Sequence, residues 1–171
     1  MICPICGATN LPGQEMCGNC QHDLTRYDQP YPRDRVERSL MEETVAVLPL
    51  HAPTTVPYDT TLREAIGRML DANVGAVLVV DGAGRLTGIL SERDLLEKVA
   101  GIHELYADMP VGRFMTARPE TVAPTDTLNF ALHKMDAGGY RHVPVVEDGR
   151  PVSVVSVRDM IRHITRLCKE A

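Results

Sequence analysis

From residue 56 onward the apolar positions switch between two periods. Leu62, Ala65, Ile66, Met69 and Leu70 recur at helical spacing, and Thr60-Thr61 just before them suits a helix N-cap. Residues 77–80 are Val-Leu-Val-Val, a β-branched run that predicts a strand. The turn Asp81-Gly82-Ala83-Gly84 follows, then a second strand over 86–90. A last helix is expected from Ser91 to about Gly101, a residue type suited to the C′ position.

The same order returns 66 residues later. Val56-Pro57-Tyr58-Asp59-Thr60-Thr61-Leu62 aligns with Val122-Ala123-Pro124-Thr125-Asp126-Thr127-Leu128. Ala65 falls on Ala131, Met69 on Met135, Val77 on Val143, and Val79-Val80 on Val145-Val146. The second turn, Glu147-Asp148-Gly149, is one residue shorter, so the offset becomes 65. Ser91 then aligns with Ser156, and Arg93-Asp94 with Arg158-Asp159. In the second copy the helical face is Leu128, Ala131, Leu132 and Met135, the strands are 143–146 and 152–155, and a helix starts at Ser156. A repeat of this length implies two copies of one supersecondary unit packed together. The Met and Val stripes are assigned to the core.

Upstream, the chain is polar and proline-bearing. Residues 27–32 read as an extended linker, and 34–43 as a short helix with Val36 and Leu40 one turn apart. The expected division is 1–24, a linker over 25–44, a first copy over 45–104 and a second over 105–171.

Composition narrows the function. Of 171 residues, 44% are hydrophobic and 24% charged, ordinary for a globular chain, and with no Trp and two Phe the core must be aliphatic. A net charge of −5 argues against nucleic acid as a partner. No apolar run is long enough for a membrane helix, and Met1-Ile2-Cys3-Pro4 has no signal-peptide character, so the expected compartment is the cytoplasm, where thiols stay reduced.

Cys3, Cys6, Cys17 and Cys20 form two C-x2-C pairs, while Cys168 stands far away. Two close pairs of thiolates suit a tetrahedral Zn²⁺ site, with iron the lesser alternative and two disulfides or plain thiols the bland ones. About twenty residues cannot bury a useful core, so the metal would hold the segment together. Cys3-Pro4-Ile5-Cys6-Gly7 and Cys17-Gly18-Asn19-Cys20 resemble the knuckles of a zinc ribbon, with Gly7 and Gly18 supplying backbone freedom. Residues 1–24 hold no Lys or Arg but include Glu15 and Asp23, so phosphate contact is not expected there. His22 is expected to face solvent.

Helix, strand, strand, helix in tandem, each copy ending in S-x-x-D, resembles a pair of CBS domains (named for cystathionine β-synthase). Phe114-Met115-Thr116-Ala117-Arg118-Pro119-Glu120-Thr121-Val122 and Tyr140-Arg141-His142-Val143-Pro144-Val145-Val146 are especially similar. The resemblance spans about 45–168. It implies an α+β or α/β fold in which two β-α-β-β-α motifs pack as a Bateman module with two clefts. Many such modules bind AMP, ADP, ATP or S-adenosylmethionine and regulate a partner. The family's ligand motif is G-h-h-[S/T]-x-x-D. Gly88-Ile89-Leu90-Ser91-Glu92-Arg93-Asp94 fits it fully; in Ser153-Val154-Val155-Ser156-Val157-Arg158-Asp159 a serine replaces the glycine.

The chemistry is sensible in its own right. Ser91 would open a helix whose N–H groups favour an anion, and Asp94 one turn on could accept from ribose hydroxyls. Arg93 and Arg158 could meet phosphate. The bland alternative is that S-x-x-D is a capping box. By family analogy the first cleft would join Gly88, Ser91, Arg93 and Asp94 to Thr121, Val122, Ala123, Arg141, His142, Val143 and Pro144. The second would join Ser156, Arg158 and Asp159 to Thr55, Val56, Pro57, Gly75, Ala76 and Val77. Arg141 and His142 would make the first the stronger phosphate binder; His142 could instead pack on Tyr140.

No Gly-rich phosphate loop, H-E-x-x-H or nucleophile elbow occurs, and four cysteine ligands leave no open metal position. The expectation is therefore a non-enzymatic sensor of an adenine nucleotide, homodimeric by analogy, acting on a separate effector protein. A scaffold with degenerate clefts, an S-adenosylmethionine sensor and a metal or redox sensor built on the ribbon cysteines are the alternatives.

Overall fold

The computed structural model describes residues 1–11, 13–25, 32, 34–101 and 103–169; apart from Pro32, the expected linker over 27–32 lies outside them. The chain forms two compact units, Met1–Asp34 and Arg35–Ala171.

The first unit is two matching knuckles. Ile2 bridges Thr9 and Met16 bridges Asp23, both antiparallel. Each C-x2-C closes a tight turn: Gly7 N–H donates to Cys3 O and Gln21 N–H to Cys17 O, both at 2.9 Å. The residue after each pair takes positive φ, Gly7 at 72° and Gln21 at 57°. The second knuckle thus places its left-handed residue at Gln21, not at Gly18. Gly18 N–H instead donates to the buried Asn10 Oδ1 at 2.9 Å, tying one knuckle to the other. Cys3, Cys17 and Leu24 are buried as a small core. His22 is half-buried rather than solvent-facing, and its carbonyl accepts from Cys17 N–H at 2.8 Å.

The second unit contains, in order, α1 (Arg35–Glu42), β1 (Thr55–Pro57), α2 (Leu62–Asp71), β2 (Ala76–Val80), β3 (Leu86–Ser91), α3 (Glu92–Lys98), α4 (His103–Tyr106), β4 (Thr116–Ala117), α5 (Leu128–Gly138), β5 (His142–Glu147), β6 (Arg150–Ser156) and α6 (Val157–Lys169). The helix starts follow from side-chain caps. Thr61 and Glu64 close a capping box on α2, and Thr127 accepts from Phe130 N–H on α5. Leu62, Ala65 and Met69 bury the inner face of α2, whereas Leu70 is 74% exposed and does not belong to it.

The sheet order is β1-β2-β3-β4, with β1 parallel to β2 and the other pairs antiparallel. β5 and β6 form the second copy's hairpin, and Val122 bridges Val145 in parallel where β1 lies in the first copy. Register shifts fall at Val79/Val80 and Val145/Val146, equivalent places in the two copies.

The entry segments cross over. Val45 and Leu48 pack in the core of the second copy, with Leu128, Met135, Val143 and Met160. Their counterparts 66 residues on, Val111 and Phe114, pack in the core of the first, with Leu62, Met69, Val77 and Leu90. Backbone bonds follow the same exchange: Val45 N–H donates to Asp126 O (2.8 Å) and Leu62 N–H to Met109 O (2.8 Å). Each copy thus borrows its first element from the other, which binds the pair into one body.

Candidate functional site: a four-cysteine centre and an inter-copy cleft

The four cysteine sulfurs all lie within 4.8 Å of one another. Cys3 Sγ is 3.7 Å from Cys20 Sγ, and Cys6 Sγ is 3.6 Å from Cys17 Sγ. Four sulfurs about 2.3 Å from one tetrahedral ion stand roughly 3.8 Å apart, so the donor set fits a zinc-sized thiophilic cation. Backbone N–H groups of Cys20 and Asn19 bring the Cys17 thiol down to about 6. Those of Ala8, with the Asn19 side chain, lower Cys6. At Cys20 the His22 N–H acts the same way but is outweighed by desolvation and the neighbouring sulfurs, which push it up to about 12. Like charges crowd here, and a bound cation is what would let all four ionise together. Cys3 and Cys17 are buried while Cys6, Cys20 and the distant Cys168 are exposed.

In the second unit a cleft of about 400 Å³ opens between the copies. Ser91, Glu92, Arg93, Asp94 and Glu97 line it from the first copy; Tyr140, Arg141 and His142 line it from the second, with Thr116, Pro119 and Glu120 from the crossing segment. The cleft therefore gathers Ser91, Arg93, Asp94, Arg141 and His142 of the set expected from sequence. Gly88, Thr121, Val122, Ala123, Val143 and Pro144 do not line it. Val122 and Val143 are core, and Gly88 is held bare because a methyl group there would meet Met115 Sδ at 2.2 Å. For the second expected cleft, Val56, Ala76 and Val77 are buried and Pro57 is exposed. Gly75 meets His142 of the other copy: a methyl on it would lie 2.8 Å from the imidazole. His142 packs there, with Glu92 close by.

Asp94 is 6% exposed, and its carboxylate is fully engaged. Oδ2 accepts from Ser91 N–H (2.9 Å) and Oγ–H (2.6 Å). Oδ1 accepts from Lys98 Nζ (2.7 Å) and Thr116 Oγ–H (2.9 Å). Burial opposes its charge, but the bonds from Lys98, Ser91 and Thr116 win and hold the carboxyl below its ordinary value. Ser91 and Asp94 thus do form a capping box. In the second copy Asp159 Oδ2 accepts the same two bonds from Ser156, yet its side chain is 26% exposed against 9% for that of Asp94, and its ion-pair partner Arg162 stands 3.9 Å away.

Most charges of the first cleft are already paired. Of its four carboxylates, Asp94 holds Lys98, Glu97 holds Arg93 and Glu120 holds Lys134, which leaves Glu92. Arg93 is taken up by Glu97 Oε1 (2.7 Å) and by the carbonyl of Gly139 across the cleft (2.9 Å). Arg141 has no ion-pair partner among the described residues. Burial lowers His142 below its ordinary value, while Glu92 and Asp159 pull it the other way. Of the first four N–H groups of α3, Ser91's goes to Asp94, Glu92's to Gly75 O (3.0 Å) and Asp94's to Ser91 Oγ (3.4 Å). The helix start offers an anion less than the sequence suggests.

Thr116 and Tyr140 were in plain view within the two segments most similar to the family, but without a role. An exposed aromatic beside Arg141 was the signal for Tyr140, which lies over the bare backbone of Gly138.

A CBS-domain family model matches residues 45–101 and 111–166. The chain belongs to the CBS-domain family. A CBS domain-containing protein of Arabidopsis thaliana is 39% identical over 116 residues; the match takes in 68% of this chain but only 21% of that relative's length. A CBS domain protein from Pyrobaculum aerophilum, solved in complex with AMP, is 31% identical with a TM-score of 0.65, the match covering 75% of this chain and 99% of that one. A CBS-domain containing protein from Agrobacterium tumefaciens is 33% identical with a TM-score of 0.61, covering 66% and 84%. The solved neighbours are CBS pairs, so the two repeats form a Bateman module. Among the described residues no helix is long and apolar enough to cross a membrane.

Proposed function

We propose that this chain is a non-enzymatic regulatory module that binds AMP in the cleft between its CBS copies and signals to a partner protein. The observation that carries the reading is the meeting of the Ser91–Asp94 box with Arg141 and His142 in one cleft of nucleotide size. Ser91 and Asp94 would hold the ribose, and Arg141 the single phosphate. Asp94, Glu97 and Glu120 are already paired with Lys98, Arg93 and Lys134, so Arg141 is the one uncommitted guanidinium; a second or third phosphate finds no further free cation in the cleft, and the order of affinity is AMP, then ADP, then ATP. The AMP complex of the Pyrobaculum relative supports the choice of nucleoside. The equivalent cleft around Ser156 and Asp159 would be a second, weaker site. The cysteine centre would hold Zn²⁺ and fold residues 1–24, in a reducing compartment such as the cytoplasm. The module is proposed to pair with itself.

A thermal-shift panel of AMP, ADP, ATP and S-adenosylmethionine on the zinc-loaded chain tests this. AMP should raise the melting temperature at the lowest concentration. If S-adenosylmethionine alone does so, the ligand class is wrong. The full engagement of Asp94 favours one second reading, a scaffold whose cleft stays empty. No shift with any of the four at millimolar concentration would establish it.

A further inference from the structure

The two copies differ at the corner beside their last helices. In the second copy, His163 of α6 is 5% exposed and lies 2.7 Å through Nε2 from the Oγ of Ser39 on α1, itself 4% exposed. Ser39 also donates to Glu43 Oε2 at 2.5 Å. The helix α1, eight residues long, thereby plugs that corner of the second copy.

The repeat offset of 65 puts Lys98 at the place of His163, and the offset of 66 puts α4 at the place of α1. But α4 has only four residues, and Leu105, the counterpart of Ser39, is 73% exposed instead of buried. What remains is a cavity of about 280 Å³ lined by Lys98, Tyr106, Met109, Arg113 and Phe114. Tyr106 and Phe114 form its aromatic wall, with ring centroids 5.3 Å apart. Where the plugged corner has Val47 and His163, this one has Arg113 and Lys98, two full positive charges.

Arg113 is uncommitted, and Lys98, though paired with Asp94, keeps one donor free. Arg113 reaches only Met109 Sδ at 3.6 Å, and no carboxylate pairs with it among the described residues. Lys98 is half-exposed; two of its three donors go to Asp94 Oδ1 and Phe114 O, each at 2.7 Å, and the third is left. The cavity is small for a whole nucleotide, and its charge calls for a compact anion of two or more charges.

We propose that this corner is a second ligand site for a small phosphate-type anion, and that Lys98 couples it to the nucleotide cleft. Lys98 is shared between them. An anion bridging Lys98 and Arg113 draws the ammonium away from Asp94 Oδ1, which then accepts a ribose hydroxyl instead. The site itself needs no nucleotide; the coupling rests on the AMP reading above. Linkage makes the effect mutual, so AMP tightens the anion by the factor by which the anion tightens AMP.

Calorimetry of the full chain with inorganic pyrophosphate, in magnesium-free buffer and with and without saturating AMP, tests both parts. Pyrophosphate should bind one site, and Arg113→Gln should weaken it at least tenfold without lowering the melting temperature. AMP should leave pyrophosphate bound and tighten it by about fivefold, a typical coupling. No pyrophosphate binding at 10 mM, binding indifferent to Arg113→Gln, or displacement by AMP would overturn the site. Arg113-dependent binding in a chain that does not bind AMP would uphold the site and overturn the coupling together with the nucleotide reading.

Discussion

Asp94 accepts four hydrogen bonds, as many as a carboxylate has lone-pair directions, so a ribose hydroxyl must replace one of them rather than add to them. Asp94→Ala therefore acts twice. It removes the N3 half of the capping box and leaves Lys98 and Thr116 without their acceptor, at a cost of roughly 1–3 kcal/mol in denaturant unfolding, and it removes the ribose acceptor. The role of Ser91 and Asp94 at a helix start was legible because S-x-x-D is a local pattern. Thr116 was not, because it meets Asp94 across 22 residues and only after the crossing segment has folded onto β3, whereas Lys98, one helical turn on from Asp94, is open to the same local reading. His142 carries a pH dependence. Its folded pKa lies below the ordinary 6.5, so the unfolded chain takes up the proton first as pH falls. Its contribution to stability is complete above about 6.5 and is lost on going down through the folded value. Replacing it by Asn should flatten the slope of unfolding free energy against pH in that window; an unchanged slope would mean the ring is not desolvated.

At the scale of elements, the periods and caps made the helices and hairpins readable in both copies, down to Thr61 and Thr127 as N-caps. Two things were hidden. An offset of 66 fits the segments around Val45 and Val111 whichever core they enter, so the exchange between copies leaves no mark in the pattern. It does leave one in energetics. Leu48→Ala should cost roughly 2–5 kcal/mol and expose the hairpin of the second copy, not its own, to hydrogen exchange; Phe114→Ala should do the converse. Likewise α1 read as a linker helix because its stabilising contact, Ser39 to His163, spans 124 residues. In the ribbon, spacing alone gave the four sulfurs, and the turn residue Gln21 escaped because left-handed φ is less usual outside glycine. Stripping the metal with a chelator should collapse the amide spectrum of residues 1–24 and leave the melting of the CBS unit unchanged.

At the scale of the whole molecule there are two compact units: a four-cysteine ribbon and a CBS pair fused by exchanged entry segments. In the proposed reading a ligand at Asp94 acts on the segment that leads into the second copy, because Thr116 holds Asp94 while Phe114, two residues earlier, sits in the first copy's core. This is the physical basis for reading the module as a regulator, and it makes the cleft the centre of the account. The most direct measurement is calorimetric titration of AMP and ATP into the full chain and into Asp94→Asn. The account expects saturable AMP binding, weaker ATP binding, and at least a tenfold loss of AMP affinity in the variant. AMP binding that ignores Asp94, or ATP binding tighter than AMP, would contradict it.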